Sequence, residues 1–214
     1  MVRNRFFTSD QHFGHTNILK YQAEERLNEH GFVFPTIEQM DDYLVDQWNS
    51  VVAENDLVFC LGDFCYDYQQ MCDVLPFLNG CKILIVGNHD PFFKKLVEPR
   101  SKMEAHELAL QAGFSELHLH HEIVLPEIGL VRLSHFPYAP PNQKDLPAVE
   151  LRYLEHRPSR GKEKLLLHGH VHSQWLEHTY PGLPPMLNIG VDMWKMRPVS
   201  EMEIIEKFKG RKAC

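Results

Sequence analysis

The sequence predicts an α/β protein, one domain over residues 1–214, and three observations carry that expectation. Short continuous apolar runs alternate with amphipathic stretches through the first half, the pattern of parallel strands buried on both faces. The second half turns to strand-like runs paired across a turn, a hairpin-like arrangement that makes the class mixed. The composition is that of an ordinary globular chain, with 43% hydrophobic and 24% charged residues and a mean hydropathy of -0.34. Disorder needs fewer apolar residues and a larger charge imbalance, and 214 residues bury a core without staples. No repeat, low-complexity tract or linker divides the chain.

Arg5 to Thr8 reads as the first strand and runs into Ser9 and Asp10. Thr36 and Gln39 form a capping-box pattern. Behind them Ile37, Met40, Leu44, Trp48 and Val51 recur at spacings of three and four, the stripe of an amphipathic helix. Asp56 to Leu61 is a second strand ending in Gly62 and Asp63. Tyr68 to Leu78 suits a short helix closed by Asn79 and Gly80, and Cys81 to Val86 a third strand ending in Gly87-Asn88-His89-Asp90. Ser101 to Ala112 is helical. Glu116 to Leu125 and Leu130 to Ser134 read as strands joined through Pro126 to Gly129. Pro137 to Pro147 is a surface loop, Ala148 to His156 a helix, and Lys164 to Leu167 a strand leading into His168 to His172. A loop at Pro181 to Pro185, a strand at Met186 to Ile189 and a helix at Glu201 to Phe208 complete the chain.

Net charge is -7, which argues against a protein that coats nucleic acid, because a grip on the phosphate backbone needs a basic face. No apolar run nears the roughly 18 residues needed to cross a bilayer, and the first ten residues lack the apolar core of a signal peptide. The five cysteines make an odd count without a C-x-x-C pair, and Cys60 and Cys81 sit in apolar runs as small hydrophobes. A reduced, cytoplasmic setting with no membrane partner is the expectation.

Fourteen histidines are far more than composition alone explains. Asp10 and His12 lie two apart at the end of the first strand, Asp63 closes the second, and Asn88 and His89 close the third. His135 follows the strand ending at Ser134, while His170 and His172 follow Leu165 to Leu167. In open α/β sheets ligands bind beyond the carboxyl ends of strands, so seven metal-capable residues converge: Asp10, His12, Asp63, Asn88, His135, His170 and His172. If Asp63 bridges, the set provides four bonds to each of two ions and leaves positions open. Such a site stays electropositive and attracts phosphate despite the acidic chain. Two ions roughly 3.5–4 Å apart generate a hydroxide near neutral pH and stabilise both oxygens of an in-line displacement. Mixed imidazole and carboxylate ligation favours Mn, Fe, Zn, Co or Ni over Mg or Ca without separating the five. Mn is the working choice among them.

Asp10-x-His12, Gly62-Asp63, Gly87-Asn88-His89-Asp90, His135 and Gly169-His170-x-His172 resemble, in order, the signature of calcineurin-like metallophosphoesterases, from residue 8 to about residue 190. The flanks, Asp10 to Asn17 and Asn188 to Val199, look like a small bacterial and phage group of such enzymes. The resemblance implies a four-layer α/β/β/α sandwich of two mixed sheets, with a dinuclear site at the sheet edge. It implies that Asp10, His12, Asp63 and His172 hold one ion, and that Asp63, Asn88, His135 and His170 hold the other. It also implies that His89 assists the leaving oxygen while Asp90 orients His89. The activity implied is hydrolysis of a phosphodiester, of small-molecule or nucleotide type, by in-line attack of a metal hydroxide. A phosphomonoesterase or nuclease with the same site is the neighbouring alternative, and a non-catalytic scaffold the alternative of another class. No basic track guides a long nucleic acid.

His15 and Asn17, just past the first motif, and Arg197, a potential phosphate clamp, are substrate-contact candidates. His118 and His120 read as one solvated strand face, and His168 as structural. Phe136, Tyr138 and Trp194 read as packing, and Glu38 to Asp46 as the exposed face of their helix.

Overall fold

A computed structural model describes residues 3–208. The first half contains β1 (Arg5–Thr8), α1 (Ile18–Tyr21), α2 (Ile37–Asn49), β2 (Leu57–Cys60), α3 (Tyr68–Val74), β3 (Cys81–Ile85), α4 (Phe93–Val97), α5 (Lys102–Ala112) and β4 (Glu116–His118). The second contains β5 (His120–Leu125), β6 (Gly129–Ser134), α6 (Ala148–Leu151), β7 (Leu165–His168), β8 (Glu177–His178), β9 (Met186–Asn188), β10 (Val199–Ser200) and α7 (Glu201–Phe208).

These strands build two five-stranded mixed sheets. The first has the order β10-β1-β2-β3-β4, parallel from β1 to β4, with β10 antiparallel on the outer edge of β1. The second has the order β5-β6-β7-β9-β8, parallel through β6, β7 and β9 and antiparallel at both edges. The alternation of side chains along each strand sorts the apolar residues into separate cores. Phe6, Val58, Cys60 and Leu84 face the helices, where α2 delivers Met40, Leu44 and Trp48 at spacing four. Phe7, Phe59, Ile83 and Ile85 face the other way and meet Leu125, Val131, Leu133, Leu165, Leu167 and Leu187 of the second sheet. Phe7 and Phe59, partners in register, stack with centroids 5.3 Å apart at this inter-sheet core. The outer face of the second sheet carries Leu166 and Met186 under Tyr138, Trp175, Tyr180 and Leu183, which lie in connecting segments.

The α2 cap forms as expected, with Thr36 accepting from Gln39 N at 3.4 Å. α3 stops at Val74 and continues as a 3₁₀ turn over Leu75–Phe77, because Pro76 brings no N–H to an α ladder. Likewise the expected helix from Ala148 to His156 divides into α6 and a 3₁₀ turn at Leu154–His156. Glu116 to Leu125, expected as one strand, is two. β4 closes the first sheet, the chain crosses at Leu119, whose side chain packs on the helical core, and β5 opens the second sheet. His118 and His120 therefore share no face. His118 bonds Glu116 at 2.7 Å, whereas His120 is partly buried and its Nδ1 has no hydrogen-bond partner. Asp41 is the exception to the exposed acidic face of α2: it accepts from Gly14 N at 2.8 Å, and burial raises its pKa to about 7. Among the described residues no helix is long and apolar enough to cross a membrane, and Cys60, Cys65, Cys72 and Cys81 are free thiols. Cys214 lies outside the described residues.

Candidate metal centre

The strand ends of both sheets meet at one edge, and unusual backbone marks the meeting point. Asp10, His12, Asp63, His170 and His172 all have positive φ, between 49° and 72°. A non-glycine residue pays for that conformation, and such residues gather where a side chain must be aimed. Two glycines let the loops close. A Cβ at Gly169 would sit 1.9 Å from Ser9 Oγ and 2.3 Å from Asp10 Oδ2, and one at Gly87 would sit 2.3 Å from Asp63 Oδ1.

Two groups of side chains result, each able to hold a metal ion. Asp10, His12 and His172 have donor atoms within 4.8 Å of one another, and so do Asp63, His135 and His170. Asp63 looks at both: Oδ2 lies 3.7 Å from His12 Nε2, and Oδ1 lies 3.4 Å from His135 Nε2. Asn88 joins the second group, its Oδ1 3.1 Å from His135 Nε2. All seven residues read from the sequence as convergent are thus brought together. The donor set fits a metal, because His12 Nε2 is buried without any hydrogen-bond partner, a costly state that a bound cation relieves.

The imidazoles are held from behind. His135 Nδ1 bonds Leu61 O at 2.8 Å, leaving Nε2 for the site. His172 Nδ1 bonds Asp192 at 2.8 Å, and His170 Nε2 bonds Glu150 at 2.6 Å, leaving the other nitrogen of each ring. Arg26, a fully buried cation, reaches Asp192 at 2.6 Å and the carbonyl of Gln11 at 2.8 Å, and also bonds the carbonyl of Asp10. Burial opposes charge on Asp192, but Arg26 and His172 beside it hold its carboxyl well below the usual range. Burial likewise opposes charge on Asp63 and His135. Their mutual attraction prevails, keeping Asp63 low and pushing His135 up to about 9. His12 goes the other way, lowered by burial.

Asp90 corrects an expectation. Its carboxylate does not orient His89; it accepts from the backbone N–H of Asp63, Phe64, Cys65 and Gly87 at 2.7–3.3 Å. It therefore staples the loop after β2 to the loop after β3. Burial, reinforced by repulsion from Asp63, raises its pKa to about 7. His89 is tied instead through its backbone N–H, which donates to Asp63 Oδ1 at 2.8 Å, with its ring edge-on to His12 at 5.5 Å. His15 stands beside both rings, 5.4 Å from His12 and 6.3 Å from His89. Asn17 is exposed at the start of α1 and caps it with no side-chain bond. Arg197 is not at the site: its guanidinium pairs with Glu203 of α7 at 2.6 Å. Phe136 and Tyr138 are buried, Phe136 packing on the His170 ring at 4.8 Å. Trp194 donates to Asn188 O at 2.9 Å. His168 is buried behind the site, bonded to Gly169 O. Arg26, Glu150 and Asp192 were not singled out from the sequence; the only signal was a run around Asp192 shared with the flanking motif.

The chain is 31% identical to the Gene 66 protein of Mycobacterium phage L5 over 219 aligned positions, covering 96% of this chain and 94% of the phage protein. It is 35% identical to the uncharacterized protein MJ1445 of Methanocaldococcus jannaschii over 97 positions, covering 44% of this chain and about half (51%) of that protein. Among solved structures, a protein of unknown function from Aquifex aeolicus has the same fold, with a TM-score of 0.61 at 24% identity over 96% of this chain and 100% of that one. No family model matches the chain.

Proposed function

Since the chain belongs to the family of the Mycobacterium phage L5 Gene 66 protein, whose name states no activity, we propose its function from the site: a dinuclear metal-dependent phosphodiesterase of the calcineurin-like kind. One observation carries the reading. Two imidazole and carboxylate groups lie side by side, and the two oxygens of Asp63 are divided between them. Asp10, His12, Asp63 and His172 would hold one ion, and Asp63, Asn88, His135 and His170 the other. Divalent ions there, Mn being the one tried first, would supply positive charge to offset a phosphate and would lower the pKa of bound water toward neutrality.

The chain's own residues do the rest. His89 has its backbone fixed by Asp63, while its ring makes no hydrogen bond among the described residues and is therefore available to a substrate. It protonates the departing oxygen. Asp192 and Glu150 fix the ring orientation of His172 and His170, so the site is organised before substrate arrives. Asp90 holds the two loops that carry Asp63 and Asn88 at one separation. The free thiols support a reducing, cytoplasmic setting.

The test is to strip the protein with chelator, reload it with Mn and compare turnover of an aryl phosphodiester with that of the monoester. Metal-dependent turnover with the diester faster is expected. Faster monoester turnover would make it a phosphatase with the same site, and metal binding without hydrolysis of either ester would overturn the catalytic reading.

A further inference from the structure

A cleft of about 460 Å³ opens beside the metal centre, lined by Phe13, His15, Tyr66, Gln70 and His89 among others. His89 belongs to both places, its backbone on Asp63 and its ring, with that of His15, forming the wall between cleft and site. Tyr66 is 70% exposed, its ring 6.4 Å from that of His89. A large aromatic held at the mouth of a cleft with a free face is a stacking platform. Gln70 stands half-buried on the first turn of α3, and its side-chain amide has no hydrogen-bond partner among the described residues. An amide presents a donor and an acceptor side by side, the pattern that pairs with the edge of a nucleobase. Besides the two histidines, the one acidic or basic residue of the lining is Asp67, which caps α3 through Gln70 N at 2.9 Å. No lysine or arginine lines the cleft, so it offers no permanent cation to a second phosphate, and its aromatic and amide groups suit the neutral part of a substrate.

We propose that this cleft binds a nucleoside, its base stacked on Tyr66 and its edge read by Gln70, so that the enzyme's substrates are phosphodiesters whose leaving alcohol carries a nucleoside. The assignment of the leaving side rests on the role proposed for His89, because the cleft lies on the His89 side of the ligands.

Two measurements test it. In the first, adenosine is titrated into metal-free protein and binding is followed by chemical-shift changes. Wild type binds, Tyr66→Phe keeps the affinity within about threefold, and Tyr66→Ala weakens it roughly 10- to 100-fold, the range of base–aromatic stacking. Gln70→Ala weakens it by a smaller factor. In the second, the Mn-loaded protein hydrolyses a dinucleoside monophosphate, and the loss in Tyr66→Ala falls on KM rather than kcat. Absence of adenosine binding by wild type, or equal affinity in Tyr66→Ala, overturns the cleft assignment even if diesters are cleaved. Adenosine binding that depends on Tyr66, without hydrolysis of any ester, leaves the cleft standing and removes the phosphodiesterase reading instead.

Discussion

Replacing Asp63 by alanine removes the carboxylate shared by the two groups and leaves His135 without the anion that raises its pKa. Asp63→Ala is expected to lose bound metal at both groups, read by elemental analysis after gel filtration, and with it all turnover. His89→Ala separates the roles: metal content stays at the wild-type level while kcat falls roughly 100- to 10,000-fold, the range for a lost proton donor. Asp192 is the second informative residue, because its side chain is fully buried, gripped by a buried arginine on one side and His172 on the other. Asp192→Asn keeps the volume and removes the charge, so affinity for the ion at His172 should fall about 10- to 100-fold in chelator competition. The seven convergent residues were legible, because each stands just past an apolar strand where side-chain type and spacing can be read directly. Their supports were not. Arg26 and Asp192 lie 166 positions apart, and no local pattern links them. Asp90 departs from what the resemblance implies: the turn aims its carboxylate at four backbone amides instead of at the His89 ring.

Among the elements, long periodic ones were legible and short ones were not. α2 and the parallel strands β1 to β3 follow from apolar spacing, whereas β8 and β10 have two residues each, too few to show alternation. The crossover at Leu119 was hidden for another reason. Polar and apolar residues alternate from Glu116 to His120, straight across Leu119, and the alternation breaks only at His121, inside β5, so the sequence does not mark the residue at which the strand changes sheets. β5 places His120 where burial lowers its pKa to about 4, helped by the nearby Arg132 and His156 side chains. The unfolded chain takes up this proton near the ordinary histidine value of about 6.5, so it binds the proton before the folded one as pH falls. Stability contributed by neutral His120 is therefore full above about pH 6.5, declines through the window down to about 4, and then levels off. The His120→Gln variant removes the titration. Denaturant unfolding of metal-free protein should show a shallower loss of stability over that window in the variant, by up to about 3 kcal/mol.

For the molecule as a whole, binding to the folded form alone adds stability by mass action. Mn at a hundredfold its Kd should stabilise by about 2.7 kcal/mol per ion, a rise in Tm of roughly 5–10 °C at this chain length. Differential scanning calorimetry with and without chelator measures it, and an unchanged Tm would mean that the two groups do not bind the ion.

Each group of ligands draws on both sheets. Asp10 and His12 follow β1, but His172, which completes their group, follows β7; Asp63 follows β2, but His135 and His170 follow β6 and β7. The chain passes from one sheet to the other at Leu119, so everything before that residue supplies only part of each coordination set. On the ribosome, β1 to β4 can align while the rest is still being made, yet neither group has its full set of donors until its last histidine has emerged, His170 for the group of Asp63 and His172 for that of Asp10. Any metal capture would thus be a late event in the life of the nascent chain, and a truncated product, however well its first sheet has formed, would leave the ribosome with neither donor set complete.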